Sequence, residues 1–231
     1  MTNDHMTSLP PSDNLDIAIF SSLFEKTTNS YKHLFFLSLL EILSQKQFDA
    51  SRRIEFREIT IEMLVTAWYP HAYSQLAFGS QDMIPEQFNN LKLTRHLQQI
   101  GIFTNIEQDQ LRQTIVAHPL DEQIKTLMRF VPYRLIRPFF ETELRGKKDV
   151  KVNREILELA ETEFDTRKPL YRFTTNQAIL IHPEWADYLK NHYIAVKNWA
   201  FWEWVDYMQR RNPNYSNIAS KLLPPQMVDG V

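Results

Sequence analysis

The sequence predicts a predominantly helical α+β protein, with a short strand near 54–56 and a small β-hairpin near 170–181. Three observations carry this reading. Only 4 glycines occur in 231 residues (Gly79, Gly101, Gly146 and Gly230), too few and too scattered for a β-fold rich in tight turns. Aromatic residues reach 13%, and many recur at the three- or four-residue spacing of a helix face. Strand-like segments are confined to two short stretches.

The elements follow in order. Residues 1–14 are a polar tail closed by Pro10-Pro11. Leu15 to Glu25 carries Leu15, Ile19, Phe20, Leu23 and Phe24, the pattern of a short amphipathic helix. Thr27, Thr28 and Asn29 offer side-chain oxygens for an N-cap. Tyr31 to Lys46 is apolar around most of its circumference, so this helix is expected to be buried and central. Ile54-Glu55-Phe56 alternates as a strand does. A helix through Ile59, Met63, Leu64, Ala67 and Trp68 is expected to stop at Pro70. Tyr69 to Asp82 reads as a loop pinned by Tyr73 and Phe78, with Asp82 capping the next helix. That helix covers Pro85 to Ile100 and ends at Gly101. Another covers Asn105 to Ala117.

Residues 121–145 are expected to be helical with interruptions at Pro132 and Pro138, and Glu155 to Phe164 to form a short helix or charged linker. The hairpin runs through Leu170-Tyr171-Arg172-Phe173 and Ala178 to Ile181. Pro183 then opens a long helix, Glu184 to about Arg211, whose buried face is Trp185, Leu189, His192, Val196 and Trp199. A short helix at Asn217 to Leu222 precedes the tail at 224–231. These elements form one unit of two packed halves: residues 15–120, and residues 121–223 with the basic segment, hairpin and Trp-rich helix.

Composition excludes several chemistries. There is no cysteine, hence no disulfide framework, thiolate metal site or cysteine nucleophile. Four isolated glycines leave no dinucleotide-binding fingerprint and no P-loop. No serine sits in a G-x-S-x-G elbow. The seven histidines (His5, His33, His71, His96, His118, His182 and His192) lack the spacing of a zinc site, so neither metal nor cofactor is expected. No apolar run is long enough to span a membrane, and the polar N-terminus has no signal core, so a cytoplasmic protein is expected.

One charge asymmetry stands out. The chain carries 26 Lys+Arg against 28 Asp+Glu, a formal net charge of −2. Yet Arg129, Arg134, Arg137, Arg145, Lys147, Lys148, Lys151 and Arg154 crowd one window against Glu141, Glu143 and Asp149. Such a patch can grip phosphates although the whole molecule cannot. Arg129, Arg134, Arg137, Arg145, Lys147 and Lys148 are the candidate nucleic-acid contacts; the competing reading pairs these arginines with nearby acids. Trp202 and Trp204 cannot both face one interior, so an exposed tryptophan there would mark a partner surface, continued by Arg210, Arg211 and Asn212. A third cluster, Tyr69, His71, Gln81 and Asp82, would serve an enzyme of unrecognised type only if it converged in a pocket.

Several strings occur together in order. They are Asn29-Ser30-Tyr31-Lys32, then Ala67-Trp68-Tyr69-Pro70 followed by Phe78-Gly79-Ser80-Gln81-Asp82, then Val131-Pro132-Tyr133-Arg134. Lys168-Pro169-Leu170-Tyr171-Arg172-Phe173 follows, and Arg211-Asn212-Pro213-Asn214 with Ile218 and Lys221-Leu222 closes the set. Over about residues 29–223 this resembles the N-terminal region of a family of bacterial proteins that end in an HNH endonuclease domain. The resemblance implies that an HNH module would follow the Asn-Pro-Asn segment, with a histidine base and a divalent metal. No histidine of this chain stands in such a motif; Asp4-His5 lacks the downstream partners. The resemblance therefore implies association with an HNH nuclease, in cis or in trans, without catalysis on this chain. The leading expectation is a non-catalytic domain that engages DNA or scaffolds such a nuclease, plausible in restriction or phage defence. The alternatives are a protein–protein interaction module without a nucleic-acid role, and the unrecognised enzyme.

Overall fold

The computed structural model describes residues 8–99 and 107–224. In chain order the helices of the first half are α1 (Ile17–Ser21), α2 (Tyr31–Gln45), α3 (Phe56–Ala72), α4 (Ile84–Asn90), α5 (Leu93–Gln99) and α6 (Gln108–Val116), with strand β1 (Ile54–Glu55) before α3. Then come α7 (Asp121–Leu127), α8 (Val131–Leu135), α9 (Glu141–Leu144), α10 (Asp149–Thr162) and α11 (Phe164–Arg167). The hairpin β2 (Tyr171–Thr175) and β3 (Ala178–Ile181) leads into α12 (Pro183–Asn191), α13 (Tyr193–Arg211) and α14 (Ile218–Leu222). The protein is a predominantly helical α+β fold.

Helix α2 is the axis of the molecule. Its near-continuous apolar circumference is buried, from His33 through Leu43, because α3 and α13 flank it. Phe20 and Trp185 stack with ring centroids 4.6 Å apart, and Phe20, Phe24 and Phe36 all pack on Trp199 at 5.1–5.9 Å. Such offset and edge-on contacts add to the burial of large apolar rings.

The three strands form one antiparallel sheet in the order β1-β3-β2, with Ile54 opposite Ile179 and Tyr171 opposite Ile181. Strand β1 belongs to the first half of the chain and β3 to the second. The sheet and the apolar core both cross residue 120, so the two halves share one interior.

Four local expectations are corrected. Helix α3 starts earlier than expected, on a capping box of Glu55 and Glu58, and passes through Pro70 to Ala72. Pro70 lies in the last turn, where a proline disturbs little of the ladder that follows, and its carbonyl still accepts from Leu76 N at 2.9 Å. The helix expected over 85–100 is two helices broken at Lys92, whose φ is +52°. The helix expected over 184–211 is broken at His192 (φ −120°, ψ 24°), yet Trp185, Leu189, Val196 and Trp199 remain buried on one side. The short helix or charged linker expected over 155–164 is helical, but as the C-terminal part of a longer helix, α10, with Phe164 opening α11. Ile100, Gly101, Asn105, Asp4 and His5 lie outside the described residues.

Candidate functional site

The basic window does not form a single face. Arg134 and Arg137 line a cleft of about 720 Å³ between the α1–α2 connection and the α7–α9 segment. Arg129, Arg145, Lys147 and Lys148 do not line it and stand exposed outside it. Arg129 lies over the ring of Phe130 at 4.8 Å. Lys147 pairs with Glu155 at 3.2 Å, whereas Arg145 and Lys148 are in no ion pair among the described residues.

The cleft gathers two further cations from far away in the chain, Lys26 and Lys32. Local structure explains how. Asp82 accepts the Ser30 backbone N–H through Oδ2 at 2.7 Å and the Ile84 N–H through Oδ1 at 3.1 Å. One carboxylate thus holds the starts of α2 and α4 together, satisfying N–H groups that a helix start leaves open. The expected N-cap oxygens behave otherwise: Thr27 Oγ1 donates back to Phe24 O, and Asn29 Oδ1 accepts weakly from Tyr31 N at 3.3 Å. The Tyr31 hydroxyl accepts from Met83 N at 2.8 Å, and its burial pushes its pKa well up. Lys32, on the first turn of α2, is thereby fixed against the cleft wall, where its Nζ donates to Leu23 O at 2.8 Å.

The charges within the cleft divide into two kinds. Lys26 pairs with Glu141 at 3.0 Å and Arg134 with Asp149 at 2.8 Å. The hydrogen bond from Lys26 lowers the pKa of Glu141, and that from Arg134 lowers that of Asp149. Lys32 and Arg137 have no acidic partner among the described residues, and Arg137 Nε is buried without a hydrogen-bond acceptor. Burial first, then the positive charges of Arg137, Arg134 and Lys26, lowers the Lys32 pKa to about 8. The arrangement can bind an anion: Lys32 keeps two N–H donors and Arg137 the two terminal nitrogens of its guanidinium.

The other predicted residues fall elsewhere. On α13, Trp202 is 44% exposed and Trp204 only 1%. Trp204 is therefore a core residue and is withdrawn from the partner surface. Asn212 is withdrawn too, because its burial serves the fold: Oδ1 accepts from Ala77 N at 2.8 Å, and Nδ2 donates to Ala77 O at 2.9 Å and Met208 O at 2.8 Å. It pins the 73–82 loop to the end of α13. Arg210 pairs with Asp206 on its own helix, and Arg211 donates to Thr28 O at 3.2 Å while lying over the Tyr207 ring. Only Trp202 and these two arginines stay at the surface.

The third cluster does not converge. Gln81 lines the cationic cleft, and His71 lines a separate hollow with Phe78 and Arg211. Tyr69 lines neither and stacks on Tyr73 at 4.7 Å. Asp82 is consumed by its two capping bonds, as its expected role as a cap implies.

Among the described residues, no three His, Cys, Asp or Glu side chains are grouped to hold a metal ion, and no helix is long and apolar enough to cross a membrane. Several of the strings that carried the family resemblance meet at the cleft: Asn29, Tyr31 and Lys32, then Gln81, then Val131 and Arg134 line it, and Arg211 holds Thr28 beside it. No protein-family model, curated protein or solved structure matches this chain.

Proposed function

We propose that this chain is a non-catalytic, nucleic-acid-engaging domain that works with an HNH-type nuclease module in cis or in trans. The observation that carries the reading is the pair of half-buried cations, Lys32 and Arg137, that are in no ion pair among the described residues. Folding alone gives no reason to desolvate two like charges together, whereas a phosphate backbone supplies the missing counter-charge. Around them, Arg145 and Lys148 offer exposed cations for neighbouring phosphates. The set of contacts is thus redrawn: Lys32, Arg134 and Arg137 at the centre, Lys26, Arg145 and Lys148 at the edge, Arg129 and Lys147 in lesser roles. Restriction or phage defence is the setting in which such a domain would serve.

The test is a fluorescence-anisotropy titration of the protein against a labelled DNA duplex over a series of salt concentrations. Log affinity is expected to fall linearly with log salt, and Arg145→Gln or Lys148→Gln to flatten the slope by about one each. An affinity that does not move with salt overturns the reading.

A further inference from the structure

We propose that the cleft is a pocket for a phosphomonoester dianion carried on a nucleoside, either a free mononucleotide or the phosphorylated end of a strand. The proposal rests on the reading of the cleft as a phosphate-engaging site and goes beyond it, because a backbone phosphodiester is a different ligand.

Charge is the first argument. Every cationic group of the cleft is Lys26, Lys32, Arg134 or Arg137, and its acids are Glu25, Glu141 and Asp149. Glu141 and Asp149 are held by Lys26 and Arg134, and Glu25 is an exposed rim residue that pairs with no cation among the described residues. Lys32 and Arg137 therefore carry the two positive charges at the wall that no ion pair holds, against the one exposed acid Glu25. A phosphodiester brings one negative charge; a phosphomonoester, whose second pKa is near 6, brings close to two at neutral pH.

Shape and donors are the second. The cleft is of the size that holds a small organic ligand. The free donors point to a compact oxyanion: two remaining on Lys32, the guanidinium of Arg137 and the second nitrogen of Arg134, whose Nη1 alone is engaged by Asp149. Gln81, which makes no hydrogen bond among the described residues, and Phe130, 47% exposed, line the same space. An amide and an aromatic ring beside an anion site match a nucleobase edge and face.

The experiment uses the full chain and adenosine 5′-monophosphate as the probe, with adenosine and inorganic phosphate as controls, by isothermal titration calorimetry. Two labelled oligonucleotides differing only in a 5′-phosphate or a 5′-hydroxyl form the second arm, and duplex DNA with blocked ends the third. The monophosphate is expected to bind about tenfold or more tightly than adenosine, and Lys32→Met and Arg137→Gln each to lose about that factor. Arg137→Lys, which keeps the charge and loses the fork, should restore part of it. Circular dichroism melting confirms that each variant is folded. Preference for the 5′-phosphorylated strand over the free monophosphate assigns the ligand to a strand end; the reverse assigns it to a mononucleotide. If the monophosphate binds no better than adenosine and the two oligonucleotides bind alike, the inference is overturned. Salt-dependent binding to the blocked duplex then still upholds the proposed function. If the monophosphate binds and the blocked duplex does not, the pocket stands and the backbone-binding reading falls.

Discussion

Two places in this molecule take charge away from water, and they do so in opposite ways. At the α3–α6 contact, Glu62 is 5% exposed and meets Arg112 through both oxygens, at 2.5 Å from Nε and 3.0 Å from Nη2. Asp109 adds a further contact from the side. The hydrogen bonds that Arg112 donates to Glu62 hold the Arg112 pKa above its usual value. At the cleft, Lys32 sits with Arg134 and Arg137, and its pKa is pushed down to about 8. The first site is closed: each charge has its partner, and the pair joins two helices that are far apart in the chain. The second is open: the charges of Lys32 and Arg137 repel, neither is in an ion pair among the described residues, and Glu141, held by Lys26, offsets that of Lys32 only in part. The pair belongs to the fold, and the cluster is the site proposed for an anion from outside, whose binding would stabilise the folded state by mass action.

The comparison is broken most directly at the closed site. Arg112→Leu leaves the Glu62 carboxylate buried without a partner, which typically costs about 3–5 kcal/mol. A urea titration of the variant should show that loss, with the transition slope unchanged. A loss below about 1 kcal/mol would mean that Glu62 finds water or another donor, and the claim of a closed pair would fail.

The open site should respond in the other direction. Lys32→Met removes a partly buried charge whose neighbours are mostly like-charged, and should raise stability at neutral pH by about 1–3 kcal/mol in the absence of ligand. The same change should abolish the stabilisation that added monophosphate gives the wild type. The pH dependence follows from linkage. Between about 8 and 10.5 the unfolded lysine still holds a proton that the folded one has released. Stability of the wild type therefore rises with pH through that window. Buried tyrosines oppose it from about pH 10 upward: Tyr171, Tyr188 and Tyr207 have raised pKa values through burial, so the unfolded chain ionises first and stability falls. The other groups that face Lys32 are Arg137, Arg134, Lys26 and Glu141. A rise between pH 8 and 10 in the wild type, absent from Lys32→Met, is the expected outcome of denaturation at a series of pH values. Equal profiles would remove Lys32 from the argument.

The sequence made the closed parts of the structure more legible than the open one. The buried character of α2, the hairpin, the strand near 54–56 and the role of Asp82 as a cap all follow from local pattern: apolar circumference, alternation and a carboxylate before a proline-started helix. The cleft does not. Arg134 and Arg137 were visible as members of a basic window, but the window itself is divided by the fold, and its remaining cations face outward or pair off. Lys26 and Lys32 gave no signal as part of that cluster, because what places them there is Asp82 tying α2 to α4, a long-range bond. Trp202 and Trp204 show the same limit at short range. Two positions apart on one helix, they face opposite environments, and only the packing of α13 on α2 decides which is buried.

His33 sharpens the comparison by separating burial of polarity from burial of charge. It neighbours Lys32 on α2, stacks on Phe24 at 4.5 Å and has no hydrogen-bond partner on either ring nitrogen among the described residues. Burial, with the positive charges of Lys32 and Arg210, lowers its pKa to about 3. It is therefore a neutral ring in the core, and the unfolded chain takes up a proton near pH 6.5 that the folded one refuses. Stability from this group is complete above about pH 6.5 and is lost progressively as pH falls towards 3. His33→Phe keeps the ring and removes both orphan nitrogens; at pH 7 it should stabilise by about 1 kcal/mol, and it should flatten the acid limb of the stability profile. Monophosphate binding should be unaffected, because His33 does not line the cleft. If His33→Phe weakened that binding as strongly as Lys32→Met, the determinant would be the packing of the first turn of α2, and the contrast between a closed pair and an open cluster of charges would lose its meaning.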